Sequence, residues 1–293
     1  MRSDVQTPAA KLGIALPVYN GANYIEKTLD SILGQTFTDF VLAISDNAST
    51  DRTSAICADY AKRDPRVRYL RNAANLGLAA NTVQAYELAK PNEYCTLVGH
   101  DDLWMPKYAE CLIEALESRP EASLAFSWFT HIDGQGALIR ECGAQSFSKL
   151  PKTGCSRADR VCYPYHIAEL AHGIYRSSCF DVPLVATRYG IYEDVFLIHS
   201  LAAQGAFVIT PDFLFSKRLH GTNASSSREY KKANRAIDCS LAVAELRRRY
   251  GLTLFESVRL WANLVRRYRI ERPLRNQFGR ARRFASRILS TKE

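Results

Sequence analysis

The apolar run Gly13 to Val18 stops at Tyr19-Asn20-Gly21, and beyond it Ile25, Leu29, Ile32 and Leu33 recur at helical spacing as far as Gly34. A short apolar run closed by turn residues predicts a buried strand, and recurrence every three to four residues predicts an amphipathic helix. The unit returns as Phe40 to Ile44 with Asp51 to Tyr60, Val67 to Leu70 with Leu78 to Leu88, and Tyr94 to Val98 with Pro106 to Leu116. Leu124 to Phe129 then reads as one more strand. Strands alternating with helices predict an α/β chain whose mostly parallel sheet is covered on both faces. From Thr130 to Tyr163 the periodicity fades, with Gly134, Gly136, Gly143 and Gly154 marking turns or a loop. Order returns at Tyr165 to Tyr175, at a helix Val195 to Gln204 and in the alternating segment Phe213 to Leu219. Beyond Arg228 the pattern is helical, with breaks near Gly251 and Pro273.

In an open parallel sheet the ligand lies at the carboxyl ends of the strands. Four polar clusters fall there: Tyr19-Asn20-Gly21, Ser45-Asp46-Asn47, Asn75-Leu76-Gly77 and Gly99-His100-Asp101-Asp102. One such cluster is ordinary turn composition; four in successive units point to one crevice.

With 293 residues, 47% apolar and 24% charged, the chain is long and apolar enough for one large or two small globular domains. This composition excludes a disordered, collagen-like or disulfide-scaffold protein. No apolar run reaches the length of a spanning helix, and the opening MRSDVQTPAA has no apolar core, so a soluble chain that is not secreted is expected. Eight scattered cysteines without a CxxC pair fit a reducing, cytoplasmic compartment. Cys142, Cys155 and Cys162, with His131, His166 and His172 nearby, match no common zinc spacing. The net charge of +9 is uneven: residues 228–293 hold 18 Lys and Arg against 6 Asp and Glu, which leaves the rest of the chain net acidic.

Asp101-Asp102 follow an apolar strand end and precede a helix opened by Pro106, an arrangement that suits Mg²⁺ or Mn²⁺ held together with a phosphate-bearing substrate. An acidic helix start is the plain alternative. The pair does not stand alone. Pro17-Val18-Tyr19-Asn20, Ser45-Asp46-Asn47-Ala48-Ser49-Thr50-Asp51, Asn75-Leu76-Gly77, Asp101-Asp102-Leu103-Trp104, Glu193-Asp194 and Arg218-Leu219-His220-Gly221-Thr222-Asn223-Ala224-Ser225 follow in order. Together they resemble the family-2 glycosyltransferases over about residues 11 to 227.

The resemblance implies a GT-A fold and inverting transfer of a sugar from a nucleotide-diphosphate donor, with a UDP-sugar favoured over dTDP and GDP derivatives. It divides the chain into a GT-A catalytic domain, 1 to 227, and a basic helical extension, 228 to 293. Residues from about 11 to 103 would hold the nucleotide-sugar and those from about 104 to 227 the acceptor, a glycan or lipid-linked glycan of surface polysaccharide biosynthesis. Pro17, Val18, Tyr19 and Asn20 would line the base and ribose pocket, Asp46 would accept from the base, and Asn47, Ser49, Asn75 and Gly77 would border the nucleotide. Asp101 would lie near the ribose or donor sugar, and Arg218 on phosphate. Asp102 and His220 would hold Mn²⁺ or Mg²⁺. Asp194 would be the base, with Glu193 orienting hydroxyls, and Trp104, His172 and Tyr175 would border the acceptor.

One departure stands out: many members carry an acid two positions before the paired aspartates, where this chain has Gly99, followed by His100. Ribose contacts of that acid do not transfer, and a catalytically silent nucleotide-binding homologue remains an alternative. A nucleotidyltransferase would need a Gly-rich, basic loop after the first strand, which Pro17 to Gly21 does not offer. A nucleic-acid-binding protein is suggested only by the basic tail, and the acidic balance of residues 1 to 227 opposes it. That tail interleaves Arg247 to Arg249, Arg266, Arg267, Arg269, Arg280, Arg282, Arg283 and Arg287 with apolar residues at helical spacing. Such helices suit an anionic membrane surface, here the cytoplasmic face of an inner membrane, or else they pack on the catalytic domain or form a homodimer.

Overall fold

A computed structural model describes residues 10–89, 93–151, 154–163, 168–180, 193–221 and 239–266. Strands β1 (Leu12–Val18), β2 (Phe40–Asp46), β3 (Val67–Arg71) and β4 (Tyr94–Leu97) alternate with helices α1 (Ile25–Leu33), α2 (Thr53–Arg63) and α3 (Leu78–Ala89). These four strands pair in parallel, in the order β3-β2-β1-β4. β1 is apolar along almost its whole length because it is covered on both faces, and Leu12, Ile14 and Leu16 are fully buried. The register sets Val18 against Asp46 and Asp46 against Arg71, so the polar turns leave the sheet along one edge. Strand order reverses beside β1, which places a topological switch point, the usual ligand crevice, between β1 and β4.

The second half of the sheet is mixed. After β5 (Leu103–Trp104) and α4 (Tyr108–Glu117) come β6 (Ala122–Ile132), β7 (Leu138–Cys142), α5 (Ala144–Phe147), α6 (Arg157–Cys162), β8 (Ile174–Arg176), α7 (Glu193–Gln204) and β9 (Ala206–Arg218). The sheet continues β4-β8-β6-β9-β5, with β7 on β6; β8 runs antiparallel to β4 and β6, β6 pairs in parallel with β9, and β5 is antiparallel to β9. The segment read as a loop after Thr130 is therefore partly a hairpin: Asp133 N–H bonds the Ala137 carbonyl at 2.9 Å and β6 turns back as β7. β9 also begins well before Phe213. Its register against β6 jumps from Thr210 to Phe213, so Pro211 and Asp212 are bulged out, and Pro211 costs the ladder no hydrogen bond.

Two more helices, α8 (Cys239–Tyr250) and α9 (Leu254–Val265), meet at Gly251 as the sequence predicts. Their inner faces join α6 and α7 in a second apolar cluster of Val161, Phe196, Val243, Leu246, Leu252, Leu260 and Leu264. Thr253 caps α9: Glu256 N–H donates to Thr253 Oγ1 at 3.2 Å, and Thr253 N–H to Glu256 Oε2 at 2.7 Å. No helix among the described residues is long and apolar enough to cross a membrane.

Candidate active site

The first wall of the crevice is two interlocked turns. Asn20 takes a positive φ of 52°, which asparagine tolerates. Its N–H donates to Ser49 Oγ at 2.9 Å, and its Oδ1 accepts the Thr50 N–H at 2.8 Å. Asp46 is wholly buried, with Oδ1 accepting the Ser49 N–H at 2.9 Å and Oδ2 the Tyr69 hydroxyl at 3.0 Å. Burial, and then the Asp46 carboxylate, push the Tyr69 hydroxyl far above its ordinary value, so it stays a donor. Tyr19 is exposed above Val18, and Pro17 is half-buried.

The second wall is an amide network. Asn47 Nδ2 donates to Asn75 Oδ1 at 2.9 Å and to the Gly77 carbonyl at 3.2 Å, while its Oδ1 accepts the Leu76 N–H at 2.8 Å. Asn72 Nδ2 bridges Asn47 Oδ1 and Asn81 Oδ1, and Ser45 Oγ donates to the same Asn81 oxygen at 2.7 Å. Asn47 thus holds the Asn75-Leu76-Gly77 turn in place, with Gly77 at φ +83°.

The floor is the aspartate turn, fastened from below by the Thr28 hydroxyl of α1, which bonds the His100 and Asp102 carbonyls at 2.9 Å each. His220 Nε2 lies 2.8 Å from Asp101 Oδ2. Asp102 is wholly buried and committed elsewhere: Lys217 Nζ donates to Oδ2 at 2.9 Å and the Arg218 backbone N–H to Oδ1 at 3.1 Å. The expected metal pair, Asp102 with His220, is therefore not the pair brought together; His220 meets Asp101. Burial opposes ionisation of Asp101, but Lys217, His100 and His220 outweigh it and bring its carboxyl to about 2. Burial holds the His100 imidazole below its ordinary value against the pull of both aspartates. A side chain at Gly99 would begin 2.7 Å from Asp102 Oδ2 and 2.8 Å from Asp101 Oδ1, so the missing acid has no room while both carboxylates stand as they do.

The donor set at Asp101 and His220 fits a divalent cation. The 2.8 Å separation is that of a hydrogen bond, and the carboxylate and imidazole that make it are donor types a divalent cation accepts. An imidazole nitrogen beside a carboxylate favours Mn²⁺ over Mg²⁺. No group of three or more candidate ligands occurs among the described residues, and two suffice where phosphates and water complete the shell.

Three residues expected in the site are used inside the protein. Trp104 is 2% exposed and packs on Tyr108 with ring centroids 4.6 Å apart. Tyr175 is fully buried, its hydroxyl on that of Tyr86. Arg218 is buried, donating to the carbonyls of Asp101, Asp133 and Gly134, with its guanidinium over the Tyr24 ring. Both aromatics are strand or turn residues whose inward face the core needs, and Arg218 ties β9 to the aspartate turn. His172 Nδ1 bonds the Leu97 carbonyl at 3.1 Å, and Nε2 lies 3.4 Å from Lys217 Nζ. Glu193 and Asp194 open α7, but their side chains lie outside the described residues, as do Thr222 to Ser225 and His166. Sequence reasoning missed Lys217, Asn72 and Asn81. Lys217 had a signal: it stands two residues beyond Phe215 on the same strand face, so a charge there needs a buried partner.

A family model described as glycosyl transferase family 2 matches residues 14–164. The chain is 34% identical over 131 residues to a chondroitin synthase of Escherichia coli, which is 44% of this chain and 18% of that protein. It spans less than half the length of the curated relatives it matches. Among solved structures, Staphylococcus aureus TarS in complex with UDP-GlcNAc aligns over 90% of this chain and 74% of its own, with a TM-score of 0.67 and 17% identity. The mannosyltransferase PcManGT of Pyrobaculum calidifontis in complex with GDP-Man and Mn²⁺ aligns over 89% and 70%, with a TM-score of 0.58 and 14% identity.

Proposed function

The chain belongs to glycosyl transferase family 2 and has the GT-A fold, and from that premise we propose that it is an inverting transferase. It moves a sugar from a nucleotide-diphosphate donor, a UDP-sugar first, to a hydroxyl of a glycan or lipid-linked glycan in surface polysaccharide biosynthesis. The cytoplasmic face of a membrane is its place of action. One observation carries the reading: the turns after β1, β2 and β4 meet at the carboxyl ends of the strands beside the switch point, and the Asp101–His220 pair stands among them.

In this reading Pro17, Val18 and Tyr19 border the base, Asp46 braces that wall through Ser49 and Tyr69, and the turn held by Asn47 borders the ribose. UDP-GlcNAc in the TarS complex and Mn²⁺ in the mannosyltransferase complex support the choice of ligands. Asp101 and His220 hold the cation, with Asp102 fixing the turn through Lys217. When bound, Mn²⁺ or Mg²⁺ offsets the negative charge that develops on the leaving diphosphate. Asp194 takes the proton of the acceptor hydroxyl as its oxygen bonds to the anomeric carbon, and the electron pair of the breaking bond leaves with the nucleoside diphosphate. Glu193 orients the hydroxyls.

A thermal-shift titration with UDP, dTDP, GDP and CDP, each with Mn²⁺, Mg²⁺ or EDTA, tests the donor site, because a ligand of the native state raises its stability by mass action. The expected result is a Mn²⁺-dependent shift with UDP that Asp101→Asn reduces strongly. Equal shifts with Mn²⁺ and EDTA would remove the cation from this site, and no shift with any nucleotide at millimolar concentration would remove the donor.

A further inference from the structure

Helix α9 is apolar on two opposite sides. Leu260 and Leu264 face the protein and are buried with Val161 and Phe196. On the other side Leu254 is 64% exposed, Phe255 68%, Val258 58% and Trp261 43%, and the exposed Ala262 continues the same stripe. These positions fall one, four, seven and eight residues after Leu254, so they form one continuous face and not scattered surface residues. Four large apolar side chains on one helix face are more than solubility explains.

Charge decides what covers this face. Arg259, which also pairs with Asp159 at 3.3 Å, and Arg266, both exposed, follow Phe255 and Ala262 by four residues each and so border the stripe along one edge. From Glu245 to Arg269 the sequence holds seven arginines and two acids, Glu245, paired with Arg248 and Arg249, and Glu256, paired with Arg157 at 2.9 Å, so the segment keeps a positive excess. A second copy of the chain, related by a two-fold axis, would bring like charges together across the stripe. An anionic lipid surface accepts both features: apolar side chains enter the boundary between headgroups and acyl chains, and arginines meet the phosphates.

We propose that the outer face of α9, Leu254, Phe255, Val258, Trp261 and Ala262, docks into the interfacial layer of an anionic bilayer. The inference deepens the reading above, in that a lipid-linked acceptor would be met at this surface. The helix is anchored for it, since its inner face packs on α6 and α8, which in turn pack on α7, the helix that opens with Glu193 and Asp194.

The test is flotation of the full chain with vesicles of phosphatidylcholine alone, or with about one quarter phosphatidylglycerol. Wild type is expected to float with the anionic vesicles only and to detach as salt rises. Phe255→Ser with Val258→Ser should weaken binding at least about tenfold, and Trp261 fluorescence should be quenched by brominated acyl chains in wild type. The UDP-induced thermal shift should be the same in both proteins, so loss of docking and loss of the donor site are read separately. Equal binding by the variant, equal binding to neutral vesicles, or no binding overturns the proposal. So does a dimer in sedimentation velocity that the two substitutions split.

Discussion

At the scale of single residues the site is organised around a buried ion pair. Asp102 has no exposure, and its charge is balanced by Lys217 Nζ at 2.9 Å, which also lies 3.4 Å from His172 Nε2. Removing one partner of such a pair leaves an uncompensated charge, so Lys217→Met should lower unfolding free energy by about 3 kcal/mol in urea denaturation. A loss under about 1 kcal/mol would mean that water reaches Asp102. His172 gives a pH dependence whose sign follows from its environment. Burial, then Lys217, hold its imidazole below the ordinary 6.5, so below that pH the unfolded chain binds more protons than the folded one. Stability is full above 6.5 and falls as pH drops beneath it; urea midpoints between about pH 7.5 and pH 5 should show the slope, flattened in His172→Gln. The sequence identified the turn residues of the crevice, because Asn20, Asp46, Asn47, Asn75, Asp101 and His220 sit where strands end. It misplaced Trp104, Tyr175 and Arg218, because whether an aromatic or an arginine faces a cleft or a core depends on distant segments, here Tyr108, Tyr86 and the 133–134 turn.

At the scale of elements, the strand and helix units from β1 to α4 were legible because each couples one apolar run to one helical period. β7 and the first half of β9 were not. Leu138 and Ile139 are exposed on a two-stranded extension, so they carry no core pattern, and Pro211 interrupts β9 where a bulge absorbs it. The join between α7 and β9 is tight in a way composition does not reveal. A Cβ at Gly205 would lie 2.6 Å from the Ser123 backbone nitrogen and 2.8 Å from the Glu121 carbonyl oxygen. Main-chain atoms cannot swing aside as a flexible side chain would, so Gly205→Ala should destabilise the protein by about 1–3 kcal/mol. A melting temperature equal to wild type would show that β6 gives way.

The molecule as a whole rests on two apolar clusters of unequal size, one around the sheet and a smaller one that fastens α8 and α9 to α6 and α7. Leu260 is fully buried in the smaller cluster. Leu260→Ala should cost about 2–5 kcal/mol, and the loss should be local. Hydrogen exchange is expected to quicken in α8 and α9 while β1 and β2 keep their protection; uniform quickening would mean a single cooperative unit. Helix α7 belongs to both clusters, giving Leu197, Ile198 and Leu201 to the sheet and Phe196 to the C-terminal helices. A rod clamped from two sides cannot rock independently of either clamp, and close-packed interiors transmit displacement instead of absorbing it. Glu193 and Asp194 open that rod, so a load on the outside of α9, passed on through α6 and α8, acts as a lever on the residue proposed as the base, and its signal need not pass through the sheet.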